Sequence, residues 1–405
     1  MASADKLREE IEKGTTHDKF NSQWNILLKS GMKEEEMPKF IDTQHWLSYF
    51  PTSGMKNLKE FGLAVDWRRS FITTKVNPFF SAFVRWNFNT LKKSDKFTYG
   101  KRHTVFAPKD NSPCCDHDRS TGEYVTPQEY TLIKLKLLEI PPVFDSLKEL
   151  EGFRVLEPDE EVGSSGVYMV AGTLRPETMY GQTNVFVLPD GEYGVYKMKT
   201  GEYFITSEHS IRNMAYQEMT DTFGAFQNLL TVKGWDLMGI PLNSPLTPYS
   251  KIYSLPMLTI SMSKGTGIVI SVPSDSPDDY AALRDLQTKK DLREKFKLKD
   301  EWVMEYSAIP IIRTTEFGEM AAETVCNEMK IKSQNDRDKL KLAKDKVYLK
   351  GFNTGVMSIG EFKGEKVKDV KLKVKQIMVD SNQACSYWEP ESLVVSRSGG
   401  NSFGF

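Results

Sequence analysis

The pattern of apolar and polar residues divides the chain into a helical first part and a sheet-rich second part. Up to about residue 100, three segments show the spacing of a helix face. They are residues 4–11, residues 34–40 and the aromatic-rich run 79–91. From residue 100 to 128 the composition shifts to Gly, Pro, Asp and Ser, which predicts a loop-rich connection.

Beyond residue 128 the period changes to that of β-strands. The segment 132–137 alternates Leu or Ile with Lys, and runs rich in β-branched and aromatic residues follow at 167–170, 185–188, 203–206, 252–260 and 268–272. Helical periodicity returns at 278–297, 319–330, 336–350 and 365–379. The expected fold class is therefore mixed α/β, with a mostly helical first part and a sheet domain of about 250 residues.

Composition excludes several classes of protein. A length of 405 residues predicts two or three domains, and the formal net charge of −1 excludes an acidic or basic tail protein. Any contact with nucleic acid must therefore come from local patches. Hydrophobic residues make up 39% and aromatic residues 11%, which is too apolar for a disordered chain. Because no apolar run reaches 18 residues, we expect a globular protein without a membrane span.

Cysteine and histidine are too few and too scattered for a disulfide framework or a metal site. The chain has four Cys and five His, without a CxxC pair. The segment 114–117, Cys-Cys-Asp-His, lacks the spacing of zinc ligands and is better explained as a loop. The first 13 residues are charged and helix-like, without the apolar core of a signal peptide, so a cytoplasmic protein in a reducing compartment is expected.

The first motif that suggests chemistry is residues 172–183, Gly-Thr-Leu-Arg-Pro-Glu-Thr-Met-Tyr-Gly-Gln-Thr, between two strand-like runs. A strand that ends in hydroxyls, a cation and a Pro turn places several hydrogen-bond donors at one edge, as an ester or phosphate site requires. The alternative is a junction in which Thr173 caps the next turn and Glu177 caps back. Composition does not decide between the two.

The second motif runs from Gly265-Thr266-Gly267 through an apolar strand to the acid-rich segment 274–280. Glycines before a buried strand allow another chain to approach the backbone, and the acids after it would lie at the rim of a cleft. The alternative is a helix start, with Ser276 as N-cap, Pro277 at the first helical position and Asp279 favoured by the helix dipole. That alternative explains Asp279 but does not require three acids within five residues.

Other signatures are absent or ambiguous. The chain has no GxxxxGK[ST] loop and no GxGxxG sequence, and no His lies near either motif in the sequence, so those nucleotide-binding devices and a serine nucleophile are not expected. Residues 336–375 carry twelve basic residues against six acids. Either these are solvated helix faces or some of them form a footprint for a phosphate backbone.

Together the two motifs resemble the connective-peptide editing domain of class I aminoacyl-tRNA synthetases specific for leucine, valine or isoleucine. The second motif, GTGIVISVPSDSPDDYAALRDL, is most similar to the cytosolic eukaryotic or archaeal-type leucyl enzymes. The same holds for residues 65–71, 116–119, 127–130 and 348–352. The resemblance fails only at residues 400–405. A valyl-type domain stays an alternative, although that family usually continues with a Pro-Ala-His-like turn where this chain has Pro273-Ser274-Asp275.

The resemblance implies an architecture and a reaction. Residues 1–133 would be connective segments beside a Rossmann catalytic domain, 134–394 a β-barrel-like editing domain with surrounding helices, and 395–405 a tail leading back. The HIGH and KMSKS sequences of the synthetic site are absent from the 405 residues, which predicts an internal piece of a longer synthetase. ATP and Mg²⁺ would serve only that full-length enzyme, and editing would need no cofactor. We expect a monomer without membrane contact.

The implied reaction is hydrolysis of the ester that joins a noncognate amino acid, such as isoleucine, methionine or norvaline, to the 3′-terminal adenosine of tRNA(Leu). Asp279 would hold the ammonium group, Thr173 would lie near the scissile ester, and Thr178 would exclude leucine. Arg175 would contact the substrate or hold its loop. No side chain is an obvious general base, so a water positioned by backbone groups and the substrate's own hydroxyl is the expected nucleophile.

The resemblance assigns further contacts with the substrate to ten residues: Leu174, Met257, Leu258, Lys264, Gly265, Thr266, Gly267, Ile270, Val272 and Asp275. Lys264 stands where bacterial members often have an aromatic residue. A boron-containing inhibitor could form an adduct with the terminal adenosine in such a pocket. The competing hypothesis from another class is a tRNA-binding fragment without catalytic activity.

Overall fold

The computed structural model describes residues 2–16, 22–156 and 165–404, so Met1, His17 and Phe405 lie outside the described residues. The α-helices are α1 (Ala2–Glu12), α2 (Gln23–Lys29), α3 (Thr43–Glu60), α4 (Pro78–Lys93), α5 (Glu208–Tyr216), α6 (Gly234–Leu237), α7 (Pro277–Thr288), α8 (Lys290–Lys295), α9 (Ala321–Glu328), α10 (Arg337–Thr354) and α11 (Val367–Asp380). Short 3₁₀ helices span Glu34–Ile41, Trp67–Arg69, Asp116–Asp118, Pro142–Leu147, Pro176–Gly181 and Asp300–Trp302.

The strands are β1 (Val105–Ala107), β2 (Ser112–Pro113), β3 (Arg119–Thr121), β4 (Pro127–Leu137), β5 (Val167–Thr173), β6 (Asn184–Val187), β7 (Glu192–Lys197), β8 (Tyr203–Thr206), β9 (Leu230–Lys233), β10 (Pro241–Asn243), β11 (Ile252–Pro256), β12 (Ile268–Ser271), β13 (Ile312–Arg313), β14 (Val356–Met357), β15 (Ala384–Pro390), β16 (Val395–Ser396) and β17 (Phe403–Gly404).

Ten strands form one mixed sheet in the order β12-β6-β11-β10-β4-β5-β8-β7-β9, with β15 pairing β4. The pairs β6–β11 and β5–β8 are parallel, and the others are antiparallel. Edge strand β12 packs back against β5, so the strands from β12 to β5 curl into a barrel-like layer. The expected mixed α/β class with a barrel-like sheet is confirmed.

Strand β4 is buried on both of its faces. Ile133 and Leu135 lie in the main core, whereas Tyr130 and Leu132 lie in a second core on the other side. Lys134 of this alternating segment is buried, and its Nζ lies 2.8 Å from a Glu202 oxygen. A long strand covered on both sides must pair any charge that it carries.

Several elements differ from the sequence expectation. The segment Glu34–Ile41 is a 3₁₀ helix that contains Pro38, which has no N–H to donate. The connection from 100 to 128 holds the short strands β1, β2 and β3 instead of loop alone, and β11 ends at Pro256 instead of 260. The helix expected over 278–297 is divided into α7 and α8. Strand β15 was not predicted, because its apolar residues follow no clear period.

The first hundred residues contain a small core of their own. It consists of Leu7, Leu27, Met32, Met37 and Phe40. Helices α3 and α4 bury no residue, and between and along them Phe61 is 90% exposed, Phe79 84% and Trp86 60%. This part is therefore held by few internal contacts and presents aromatic side chains to solvent.

The segments on either side of the large sheet lie together. Strand β1 pairs with β17, and β3 pairs with β16, all antiparallel. The expected boundary at 133/134 falls inside β4, whose pairing with β15 begins at Pro127. The division into 1–133, 134–394 and 395–405 stays a prediction. Within the described ranges, none of the helices has the length and apolar character needed to cross a membrane.

Candidate functional site

A cavity of about 730 Å³ lies at the seam where β12 approaches the end of β5. Both sequence motifs contribute to its wall. Twelve of the fourteen predicted site residues line it: Thr173, Leu174, Arg175, Thr178, Met257, Lys264, Gly265, Thr266, Gly267, Ile270, Val272 and Asp279. The two remaining residues, Leu258 and Asp275, lie outside the wall.

The first motif forms a tight turn at the end of β5. Thr173 Oγ1 accepts a hydrogen bond from the Arg175 N–H at 3.0 Å, which is the ordinary use of a threonine in such a turn. The Thr178 hydroxyl donates to the Arg175 carbonyl at 2.7 Å, and Thr178 is only 4% exposed. The threonines therefore fix the backbone and still line the cavity. Glu177 does not act as a cap, because it is buried beside Arg175.

Arg175 lies in the cavity wall at the centre of a buried polar cluster. Its Nε lies 3.4 Å from a Glu177 oxygen, its Nη2 lies 4.0 Å from an Asp275 oxygen, and the guanidinium sits 4.6 Å from the centre of the Tyr348 ring. Burial opposes the charge of Arg175, but the carboxylates of Glu177 and Asp275 outweigh it and raise its pKa. Arg175 thus holds the first motif against α10 and against the chain after β12.

The two predicted residues outside the wall have structural contacts of their own. Asp275 is 1% exposed, accepts a hydrogen bond from Ser274 Oγ at 2.8 Å and faces Arg175. Burial raises the pKa of Asp275 to about 6, although Arg175 opposes that rise. Leu258 is 38% exposed, and its N–H donates to Gln334 Oε1 at 3.1 Å. Neither residue lines the cavity.

Asp279 combines a helix start with a place in the cavity wall. Ser276 is the N-cap of α7 and Pro277 is its first residue, as the alternative interpretation expected. The Asp279 carboxylate, however, accepts from the Val272 N–H at 2.9 Å, and so it ties the helix to the end of β12. It is 5% exposed, and burial raises its pKa to about 7. Capping therefore does not account for this buried carboxyl group.

The loop from Gly265 to Gly267 requires both of its glycines. Their φ angles are +61° and +75°, a region that side chains with Cβ rarely adopt. The Gly265 N–H donates to both carboxylate oxygens of Glu389 at 3.0 Å, and the Gly267 carbonyl accepts from the Tyr193 hydroxyl at 2.7 Å. Glu389 was not predicted, because it comes from β15, more than a hundred residues later in the chain.

Helix α10 supplies another wall that the motifs did not predict. The cavity is lined there by Arg337, Lys341, Lys344 and Tyr348 of α10 and by Gln334, which precedes the helix. The available signal was the basic stretch 336–375, for which the sequence left two interpretations open: solvated helix faces or a footprint for a phosphate backbone. Lys344 Nζ lies 3.5 Å from an Asp278 oxygen, so this lysine partly offsets the acids of the second motif.

Metal ligands do not cluster in the part of the chain that the structure describes. Within residues 2–16, 22–156 and 165–404, there is no group of three or more His, Cys, Asp or Glu side chains that could hold a metal ion. Cys114 is buried, and His117 lies in a 3₁₀ turn in which its ring faces Asp118.

Known proteins match most of the chain. The chain is 49% identical over 376 residues, or 93% of its length, to the cytoplasmic leucine–tRNA ligase of Pongo abelii, and 49% identical over 377 residues to that of Dictyostelium discoideum. Its fold matches the crystal structure of GlLeuRS-CP1 with a TM-score of 0.56 and 38% identity, covering 64% of this chain and 99% of that chain. The chain belongs to the leucyl-tRNA synthetase family.

A second leucyl-tRNA synthetase structure agrees. The crystal structure of the P. knowlesi cytosolic leucyl-tRNA synthetase editing domain matches with a TM-score of 0.57 and 27% identity, covering 64% of this chain and 96% of that chain. The leucyl type is thus confirmed over the valyl-type alternative. The chain spans 31% and 34% of the lengths of the two ligases named above. No family model matches it.

Proposed function

We propose that the cavity is an editing site that hydrolyses the ester of tRNA(Leu) charged with a noncognate amino acid. The observation that carries this proposal is that Thr173, Thr178 and Asp279, which come from two distant motifs, line one cavity. Similarity to leucyl-tRNA synthetase editing domains supports it. The names of the relatives support a cytoplasmic location.

Each of the three residues has a role that fits its contacts. The Asp279 carboxylate is held by the Val272 N–H and offers the opposite charge to the substrate's ammonium group. The Thr173 hydroxyl lies at the end of β5 and donates towards the ester oxygens or the ribose hydroxyl. Water attacks the carbonyl carbon of the ester, and the bond from that carbon to the ribose oxygen breaks. The departing ribose oxygen takes a proton that comes from the water, so the products are the free amino acid and the terminal ribose hydroxyl. No metal or cofactor takes part in this step.

Thr178 acts as the sieve that spares leucine. Its backbone and hydroxyl are both tied to Arg175, so its bulk cannot swing out of the wall. A pocket distinguishes amino acids that differ by one methylene by only about 1–3 kcal/mol, which is why a second site that rejects the cognate residue is useful. In the longer protein, leucine would be attached to tRNA(Leu) with ATP and Mg²⁺ at a separate site.

The decisive experiment replaces Thr178 with Ala and measures deacylation of leucyl-tRNA(Leu) and of isoleucyl- or norvalyl-tRNA(Leu). We expect Thr178→Ala to hydrolyse leucyl-tRNA(Leu) about 10- to 200-fold faster than the unmodified chain does, because the space that excluded leucine opens. Thr220→Ala is the matched control, since Thr220 is also buried and donates to a backbone carbonyl, but it lies away from the cavity.

Two results would contradict the proposal. If Thr178→Ala leaves leucyl-tRNA(Leu) as intact as Thr220→Ala does, Thr178 is not the sieve. If the unmodified chain binds mischarged tRNA but hydrolyses none of it, the chain is the tRNA-binding fragment of the competing hypothesis.

A further inference from the structure

One face of helix α10 packs against neighbouring helices, and another face lines the cavity. The anchoring face packs in a small core with α7 and α9 and consists of Leu340, Ala343 and Val347. At the N-terminal end, Gln334 fixes the helix entry by accepting the Leu258 N–H at 3.1 Å. At the other end, Tyr348 stacks on Arg175. The orientation of the helix towards the cavity is therefore set by packing.

The face at the cavity carries a row of cations. Arg337, Lys341 and Lys344 are four and three residues apart, which places them along one side of a helix over about 10 Å. All three line the cavity and are exposed. The opposite face of the same helix carries Lys339 and Lys346, which do not line the cavity. The row is thus distinguishable from the general basic character of this segment.

The charges of the row are only partly neutralised. Lys344 is paired with Asp278, near the Asp279 end of the cavity. Among the described residues, Arg337 and Lys341 form no ion pair with a carboxylate. Across the cavity, Lys264 is also exposed, and its Nζ donates to the Glu391 carbonyl at 3.2 Å. One end of the cavity is therefore acidic, whereas its rim along α10 is cationic.

We propose that Arg337 and Lys341 bind the phosphates that precede the terminal nucleotide of an RNA whose 3′ end enters the cavity. This inference rests on the proposed function for the identity of the RNA. An aminoacylated terminal ribose would point its ammonium group to Asp279, so the phosphodiester chain must leave past the rim. Arginine and lysine at that rim meet the first charges of the chain, and single-stranded RNA binding of this kind weakens with salt.

The test measures binding of a dye-labelled single-stranded RNA tetranucleotide ending in CCA to the whole 405-residue chain at several salt concentrations. The variants are Arg337→Gln/Lys341→Gln and the control Lys339→Gln/Lys346→Gln. We expect the first variant to bind the RNA at least about tenfold more weakly. The slope of log affinity against log salt should become shallower by about 0.7 for each lost phosphate contact, about 1.4 in all. The control should match the unmodified chain.

Adenosine, which has no phosphate, should compete for the cavity with the same affinity in all three proteins. Equal loss of adenosine and RNA binding would overturn the inference, because the substitutions would then have damaged the pocket. It would also be overturned if the Arg337→Gln/Lys341→Gln variant bound RNA as tightly as the control does. If the RNA results hold but mischarged tRNA is not hydrolysed, the proposed function fails while the phosphate contacts stand.

Discussion

Replacing Asp279 with Asn distinguishes the stability that the buried charge costs from the part that the charge plays in deacylation. The carboxyl group is 5% exposed, and burial raises its pKa from the usual 3.8 to about 7. At pH 8 the group is ionised in both the folded and the unfolded chain, and each unit of raised pKa costs about 1.4 kcal/mol of stability. A difference of about three units corresponds to at most about 4 kcal/mol.

The sign of the pH dependence follows from proton binding. Between about pH 4 and pH 7 the folded chain holds a proton on Asp279 that the unfolded chain has lost, so stability falls as pH rises. Asn is nearly the same size and keeps an oxygen for the Val272 N–H. Asp279→Asn should therefore be as stable as the original chain near pH 4 and more stable at pH 8, by up to about 4 kcal/mol.

Urea unfolding at intervals from pH 4 to pH 8 measures this gap, and Asp345→Asn on the exposed side of α10 is the matched control. Deacylation of mischarged tRNA should be lost in Asp279→Asn, because the ammonium group loses its charged partner. A gap in stability that does not change with pH would refute the reasoning. The reasoning would also be refuted if Asp279→Asn unfolded more easily at every pH, because the carboxylate would then act only to stabilise the start of α7.

Two further substitutions test contacts that hold the site. Glu389→Gln leaves one acceptor oxygen where two now receive the Gly265 N–H, and we expect it to cost about 1.5–3 kcal/mol in urea unfolding and to raise KM for deacylation. An unchanged KM would show that the loop does not depend on Glu389. Lys134→Met leaves Glu202 buried without its cation and should cost about 3–5 kcal/mol, whereas the double substitution with Glu202→Leu should recover most of that loss. If the double variant is as unstable as Lys134→Met, the charge pair is not the cause.

The sequence predicted those parts of the site that are contiguous in the chain. Gly265 and Gly267 stand out because glycines before a buried strand allow another chain to approach the backbone, and the Thr173 turn stands out because hydroxyls and Pro cluster at a strand end. Asp279 was ambiguous, since the same residue suits a helix start. Only the folded chain shows that the Asp279 carboxylate accepts a hydrogen bond from the Val272 N–H, at the end of β12.

Parts of the site assembled by long-range packing could not be predicted in the same way. Glu389 reaches the glycine loop through the pairing of β15 with β4, and no local pattern records that partner. The cations of α10 were visible as a basic segment, but their periodicity does not say which face meets the cavity. Leu258 and Asp275 do not line the cavity: the Leu258 N–H donates to Gln334, and Asp275 faces Arg175.

The pairing of β4 with β15 means that the chain enters and leaves the barrel-like sheet side by side. Seven residue pairs join the two strands, and β1 with β17 and β3 with β16 continue the same association. Neighbouring strands are only about 5 Å apart, so the pairs β1–β17 and β3–β16, which lie outside β4 and β15, form a narrow stalk. The two points at which the module joins a host protein therefore lie about as close together as the two ends of a hairpin loop. The entropy cost of closing that gap in the host chain is small. The module could therefore be removed at the stalk, or grafted at another surface loop, with its cavity intact.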